Sequence, residues 1–262
     1  MLASFLKYLK VEKGYSAHTV RSYGDDVQQF FTSCGFDPEK DSLSKITHRQ
    51  VRYWLSYIIS QGYTTRSANR KLSSLRAFYR YLLREGSVTT NPLARIVPPK
   101  SGKRLPSFVG EWEMNSLLDS EHFSNDFKGI RDQLVLELFY YTGIRLSELV
   151  GMTVDRIDFP SQSIKVLGKG NKERILPLHP ALAVLILNYL KFREEIDINK
   201  GEIALFLTEK GNPIYPKLVY RIVKGNLSRV TTLEKKSPHV LRHTLFLECG
   251  NSRKITFYNS VY

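Results

Sequence analysis

The chain has 262 residues and a net charge of +14, with an isoelectric point near 9.7; the length predicts two domains, and self-repulsion of that size predicts a polyanionic partner, nucleic acid foremost. Cys34 and Cys249 are too few for a disulfide framework and lack metal-ligand spacing, no apolar run reaches the roughly 18 residues of a membrane span, and the N-terminus has no signal-peptide pattern. Disulfide-built scaffolds and membrane-spanning chains are excluded on these grounds, and a soluble cytoplasmic protein is expected.

The first hundred residues read as helices. Leu2 to Val11 is a short one. Ser16 is placed to cap a segment whose apolar positions Val20, Tyr23, Val27, Phe30 and Phe31 keep a helical period up to a stop at Cys34-Gly35. Thr47 precedes Val51, Trp54, Leu55, Ile58 and Ile59, which follow the spacing of one helix face and end at Gly62. A fourth helix is predicted from about Thr65 to Glu85, with Ala68, Leu72, Leu75, Tyr79 and Leu82 on its apolar side and Gly86 past its end. Arg66, Arg70, Arg76, Arg80 and Arg84 fall on one sector beside that stripe. A sector of one sign costs repulsion when merely solvated, so contact with DNA phosphates is expected there.

Asn91-Pro92 and the run from Pro98 to Pro106 break regular structure, so residues 91–106 read as a basic, proline-rich linker between a helical domain over 1–90 and a second domain over 107–262. The second domain opens with helices at about Glu111 to Asp119 and Gly129 to Tyr141. Gly143 ends the latter, and a new helix begins at once with Arg145 at its start. Arg145 and Glu148, three apart, share one face as an ion pair. The period then changes. Ser163 to Leu167 and Glu173 to Pro177 read as a β-hairpin around Gly168-Lys169-Gly170-Asn171-Lys172, and Ile157 to Phe159 is a candidate third strand. Helical patterning resumes at Pro180 to Phe192 and Lys217 to Leu227, with a short extended run at Leu205 to Leu207. Ser237 and Pro238 then introduce a last helix carrying His239, Arg242, His243 and Thr244.

Arg145, the lysine of the turn, and the pair His239 and Arg242, one helical turn apart, call for a common account. Each alone reads as a surface charge or a helix-start histidine. Together they supply two guanidiniums, an ammonium and an imidazole, with no carboxylate cluster to hold a metal. That set suits phosphoryl transfer without metal or cofactor: guanidinium forks hold phosphate oxygens, Lys or His moves protons, and a side-chain nucleophile attacks.

Tyr141-Thr142-Gly143-Ile144-Arg145-Leu146-Ser147-Glu148-Leu149, Gly168-Lys169-Gly170-Asn171-Lys172-Glu173-Arg174 and His239-Val240-Leu241-Arg242-His243-Thr244 resemble the three motifs of the tyrosine recombinase (phage integrase) family, its Xer branch above all. Glu12-Lys13-Gly14-Tyr15-Ser16, Thr19 and Ser22-Tyr23 resemble the Xer core-binding domain, so the likeness runs over residues 1 to 244. It implies a mainly α protein: a helical, SAM-like core-binding domain joined to a mixed α/β catalytic domain with a small antiparallel sheet, the two clamping duplex DNA. It implies Arg145 and Arg242 as ligands of the scissile phosphate, Lys169 as the acid for the leaving 5′ oxygen with Lys172 as its substitute, and His239 as a proton-transfer aid. His243 is read as structural. A tyrosine would form a 3′-phosphotyrosyl link, and the family's tetramer on two DNA sites, homomeric or with a second recombinase, would integrate DNA or resolve chromosome dimers.

After Thr244 the pattern departs. Leu245 to Tyr262 contains no Leu-Gly-His box and no recognisable tyrosine motif, Gly250 to Lys254 interrupts the expected helix, and Tyr258 and Tyr262 stand too early. The tail reads as truncated or frame-altered. Two readings therefore stay open: a recombinase by descent whose own strand cleavage is in doubt, and a catalytically inactive DNA-binding remnant or regulator. A type IB topoisomerase fits the N-terminal motifs poorly, and a metal-dependent transposase has only Asp155 and Asp158, without further carboxylates, to offer.

Overall fold

Capped, amphipathic helices build the N-terminal unit. The computed structural model describes residues 1–37, 41, 43–100, 102, 107–168, 172–196 and 202–251, and the chain divides into the units Met1–Arg104 and Leu105–Tyr262. The first holds α1 (Leu2–Val11), α2 (Ala17–Cys34), α3 (His48–Ser60) and α4 (Thr65–Arg84). Ser16 accepts from the Thr19 amide at the start of α2, and Gly35, with φ of 68°, takes the left-handed turn that ends it. Thr47 and Gln50 form a capping box at α3. The faces these helices turn inward meet in a core of Phe5, Phe30, Phe31, Trp54, Leu72, Phe78 and Tyr79. Edge-to-face contacts order it, with ring centroids 5.1 Å apart for both Phe30–Trp54 and Phe5–Phe78.

Two expectations need correction here. The stretch expected to be a linker from residue 91 belongs in its first part to this unit: Leu93 and Ile96, three apart, bury their side chains in the core, and Asn69 donates to the Pro99 carbonyl at 2.9 Å. Residues 92–95 form a turn, with the Ala94 and Ile96 amides donating to the Asn91 and Leu93 carbonyls at 3.2 Å, and that turn carries the two apolar side chains into the core. The arginine sector of α4 is also less bare than its one-sign pattern suggests. Arg70 binds buried Asp26, Arg76 donates to the Ile96 carbonyl at 2.6 Å, and Arg84 pairs with Glu85 at 3.0 Å and lies over the Tyr8 ring. Acceptors inside the unit thus take up part of the charge that was expected to meet DNA phosphates; Arg66 is exposed.

The second unit is wrapped around α6 (Phe127–Thr142), where Leu134, Val135, Leu136, Leu138 and Phe139 are all fully buried. The helix is buried on most sides, Arg131, Gln133 and Glu137 included, and α5 (Glu111–Leu118), α8 (Pro180–Glu194), α9 (Pro216–Val230) and α10 (Pro238–Asn251) pack against it or one another. The strands β1 (Ile157–Asp158), β2 (Ser163–Leu167) and β3 (Glu173–Pro177) form an antiparallel sheet in that order, with Val166 opposite Arg174 and Leu167 opposite Glu173. Ile164 and Val166 alternate into the core, as a period of two requires. The segment over 205–207 makes only an isolated bridge, Leu207 to Pro213. The last helix runs through Gly250 to Asn251, past the break expected at Gly250; residues 252–262 lie outside the described residues.

Candidate functional site

Local chemistry sets the position of Arg145. Gly143, at φ 55°, ends α6 in the left-handed region, and its amide donates to the Phe139 carbonyl at 3.1 Å. Thr142 Oγ1 donates to the Leu138 carbonyl at 2.6 Å and accepts from the Ile144 amide at 3.2 Å, while Ile144 is fully buried. Arg145 is then the N-cap of the short α7 (Leu146–Val150), with its guanidinium about half exposed.

Glu148 organises the surroundings. Its side chain is only 2% exposed. Its Oε2 accepts from the Arg145 amide at 2.7 Å and from Arg174 Nη2 at 2.8 Å, and its Oε1 accepts from Arg145 Nη1 and Arg174 Nη1, each at 2.8 Å. Burial alone would raise this carboxyl. The hydrogen bonds from Arg145 and the charges of Arg174 and Arg145 outweigh it and hold the group below the ordinary glutamate range.

Arg242, on α10, donates from Nη1 to the Gly143 carbonyl, two residues before Arg145. Its pKa is lowered from the ordinary arginine value, first by burial and then by the positive charges of Arg145 and Arg174, with Glu148 opposing. An arginine so lowered is still a cation near neutral pH. Three guanidiniums, of Arg145, Arg174 and Arg242, therefore share the field of one carboxylate, which leaves a local surplus of positive charge. α10 is held by Thr244, whose buried Oγ1 accepts from the Val109 amide at 2.9 Å and donates to the Val240 carbonyl at 3.1 Å. One turn before Arg242, His239 is exposed and stacks on His243, ring centroids 5.9 Å apart.

Of the residues singled out in the sequence, Arg145 and Arg242 meet around Gly143 and Glu148, and His239 shares a helix with Arg242. Lys169 lies outside the described residues, as do Tyr258 and Tyr262. The residue before Lys169 bears on the site nonetheless. A Cβ added at Gly168 would sit 3.7 Å from Glu148 Oε1, 4.0 Å from Arg145 Nη1 and 3.2 Å from the Lys172 carbonyl oxygen, so the base of the hairpin runs close beside the Arg145–Glu148 pair. Lys172 is exposed. Sequence reasoning missed Arg174. The available signal was an arginine on the strand face it shares with Leu176, a position that asks for a carboxylate partner.

The described side chains of the site present three guanidiniums around one carboxylate. A cleft of about 710 Å³ lies between the start of α6, the turn over 208–213 and α9, and a hollow of about 460 Å³ lies beside Arg76 and Arg80; neither is lined by Arg145, Glu148, Arg174 or Arg242. Small metabolites favour enclosed pockets, whereas a phosphate carried by a polymer needs only a charged surface. Among the described residues no group of three or more His, Cys, Asp and Glu could hold a metal ion, and no helix is long and apolar enough to cross a membrane.

Two family models match the chain: the phage integrase N-terminal SAM-like domain over residues 2–86, and the phage integrase family over residues 108–249. The chain is 36% identical over 241 residues to the tyrosine recombinase XerC of Staphylococcus carnosus, an alignment spanning 92% of this chain and 80% of that protein. The fold resembles the XerH site-specific recombinase bound to a palindromic difH substrate in a post-cleavage complex, with TM-score 0.73, 20% identity, and coverage of 96% of this chain and 74% of that one. It also resembles a lambda integrase tetramer bound to a Holliday junction, with TM-score 0.70, 21% identity, and coverage of 98% and 74%.

Proposed function

The chain belongs to the phage integrase family of tyrosine recombinases, and on that premise we propose that it binds duplex DNA and acts in site-specific recombination of the Xer type, with Arg145 and Arg242 as ligands of one backbone phosphate. The observation that carries this reading is the arginine cluster around Glu148: one buried carboxylate orients Arg145, and Arg242 is held two residues away on the Gly143 carbonyl. Guanidinium groups fixed in advance toward one point are what a phosphoryl group needs as negative charge builds on its oxygens. The net charge of +14 supports DNA as the carrier of that phosphate.

In this reading Arg145 and Arg242 donate to the non-bridging oxygens, His239 assists proton transfer beside Arg242, and Lys169 protonates the leaving 5′ oxygen. A tyrosine attacks the phosphorus and keeps the bond energy in a 3′-phosphotyrosyl link, so rejoining needs no ATP. Work on two DNA sites in a tetramer, alone or with a second recombinase, and a cytoplasmic location belong to the same reading. A second reading is a DNA-binding member that does not cut; it is favoured by the family match ending at residue 249, before Tyr258 and Tyr262.

Binding to duplex DNA should weaken steeply as salt rises, the log of the affinity falling roughly in proportion to the phosphates neutralised. Affinity indifferent to salt would sink both readings. A nicked suicide duplex separates them: a covalent adduct lost in Tyr258→Phe or Tyr262→Phe supports cleavage by that tyrosine, and tight binding without any adduct supports the second reading.

A further inference from the structure

Arg174 is tied into the site through its whole guanidinium fork. Both of its terminal nitrogens are committed to Glu148, each at 2.8 Å, in the parallel fork that a planar guanidinium makes with a carboxylate. Arg145 supplies two further donors to the same oxygens, its amide at 2.7 Å and its Nη1 at 2.8 Å. A carboxylate offers about four acceptor sites. Glu148 is therefore saturated, and each of its oxygens is shared between Arg145 and Arg174.

From this sharing we propose that Arg174 is a positioning residue for the phosphate-binding site, acting through Glu148 to fix the direction of the Arg145 guanidinium. The proposal rests on the reading of Arg145 as a phosphate ligand. Glu148 sits on a helix of five residues, and Arg145 is that helix's own N-cap, so the Arg145–Glu148 pair by itself is local and set only by the helix turn. Arg174 comes from a different element, β3, 26 residues further along the chain. Its fork pins the carboxylate plane from outside the helix, and Arg145 then has one favoured direction instead of several. The strand gains as well. Arg174 stands opposite Val166 in the sheet, and at Gly168, one residue past β2, an added Cβ would come within 3.7 Å of Glu148 Oε1, so both arms of the hairpin lie beside the Arg145–Glu148 pair.

The arrangement also protects Arg242. A Glu148 lacking Arg174 would have two unfilled acceptor sites next to a guanidinium already within its field. Arg242 would then be drawn toward the carboxylate and away from a bound phosphate. With Arg174 in place those sites are occupied. A lysine at position 174 would keep the charge but present a point rather than a fork, so it should restore the function only in part.

The test has one arm without DNA and one with it. In the first, side-chain 15N relaxation of the Arg145 Nε–Hε group is measured in the wild type, in Arg174→Lys and in Arg174→Gln. The group should be rigid in the wild type, intermediate in the lysine variant and flexible in the glutamine variant, with thermal unfolding recorded alongside. A change in unfolding temperature with Arg145 order unchanged would reduce Arg174 to a structural tie and overturn the proposal. In the second arm, duplex affinity at low salt is measured for Arg145→Ala, Arg174→Ala and the double variant. Arg174→Ala should weaken binding about fivefold or more when Arg145 is present and less than about twofold when it is absent, the non-additivity expected of residues acting through a shared partner. Equal losses in the two backgrounds would mean an independent contact and would equally overturn the proposal. Should the wild type fail to bind duplex DNA, the reading of the site falls, while the relaxation arm still decides whether Arg174 orders Arg145.

Discussion

Each unit of this protein contains one buried carboxylate flanked by two cations, and the two clusters do different things. In the N-terminal unit Asp26, on α2, takes Arg70, Lys71 and Ser74 from successive turns of α4, at 2.8, 2.9 and 2.8 Å. Lys71 is itself buried and also donates to Gln29 at 2.6 Å. Lys71 and Ser74 are buried while Arg70 reaches the same carboxylate from the exposed side, and the result is a staple between two helices. In the second unit Glu148 is buried to the same degree as Asp26, both side chains being 2% exposed, and Arg145 at 49% matches Arg70 at 48%; but its second cation, Arg174, is 32% exposed where Lys71 is 9%, and a third guanidinium, Arg242, adds its charge. The difference teaches that a buried carboxylate with arginines is not in itself a site. The second cluster becomes a candidate because three guanidiniums rather than two cations share its one carboxylate, and none of the three is buried as Lys71 is.

The sharpest way to break this contrast is to remove each carboxylate or its leading cation. Asp26→Ala leaves Lys71 buried without its counter-charge and should cost about 3–5 kcal/mol in urea-unfolding free energy. Arg145→Ala should act on the reaction instead. It should lower covalent-adduct formation on a nicked duplex by about 10²–10³-fold, while unfolding free energy changes by no more than about 1 kcal/mol because Arg174 still covers Glu148. Equal losses of stability in the two variants would show that the clusters are one kind of device.

A smaller effect separates them by pH. The Glu148 carboxyl lies below its ordinary value when folded, so its contribution to stability is fully present above the unfolded value, about 4.3, and is lost as pH falls through the lower folded value. Wild-type stability should therefore carry an acid-side loss below about pH 4.3 that Glu148→Gln lacks; acid titrations followed by circular dichroism at several temperatures would measure it. An unchanged acid limb in Glu148→Gln would mean that Arg145 and Arg174 do not hold the carboxylate as described. Ser74→Ala should give the smallest change, about 1 kcal/mol in the same urea measurement, since Asp26 keeps Arg70 and Lys71.

Much of the fold was legible before any coordinates because it is written in short-range chemistry. Ser16, Thr47 and Gly143 mark helix ends by their own hydrogen bonds or backbone angle, and the strands Ser163–Leu167 and Glu173–Pro177 stand at the limits their period-two pattern implies. The motifs around Arg145 and Arg242 were legible for the same reason, as short fixed spacings, and the Arg145–Glu148 pair follows from a separation of three on a helix start. The sequence misled where a single residue had to be read without its distant partner. The arginines of α4 looked like one face without partners inside the protein, to be met by DNA phosphates, although Asp26, Ile96 and Glu85 take three of them, and Leu93 and Ile96 looked like linker until the core received them.

What the sequence by itself determined is the set of elements, the family motifs and the two arginines, Arg145 and Arg242, proposed as phosphate ligands. What only the tertiary structure decided is the company those residues keep. Arg242 reaches the Gly143 carbonyl across 99 residues, Thr244 takes the Val109 amide across 135, and Arg174 closes on Glu148 across 26. Spacing along a helix or strand is fixed by backbone geometry and can be counted on the chain. Contacts at these separations arise only when burial brings the elements together and a desolvated donor or acceptor must find a partner, and no local pattern records which partner that will be.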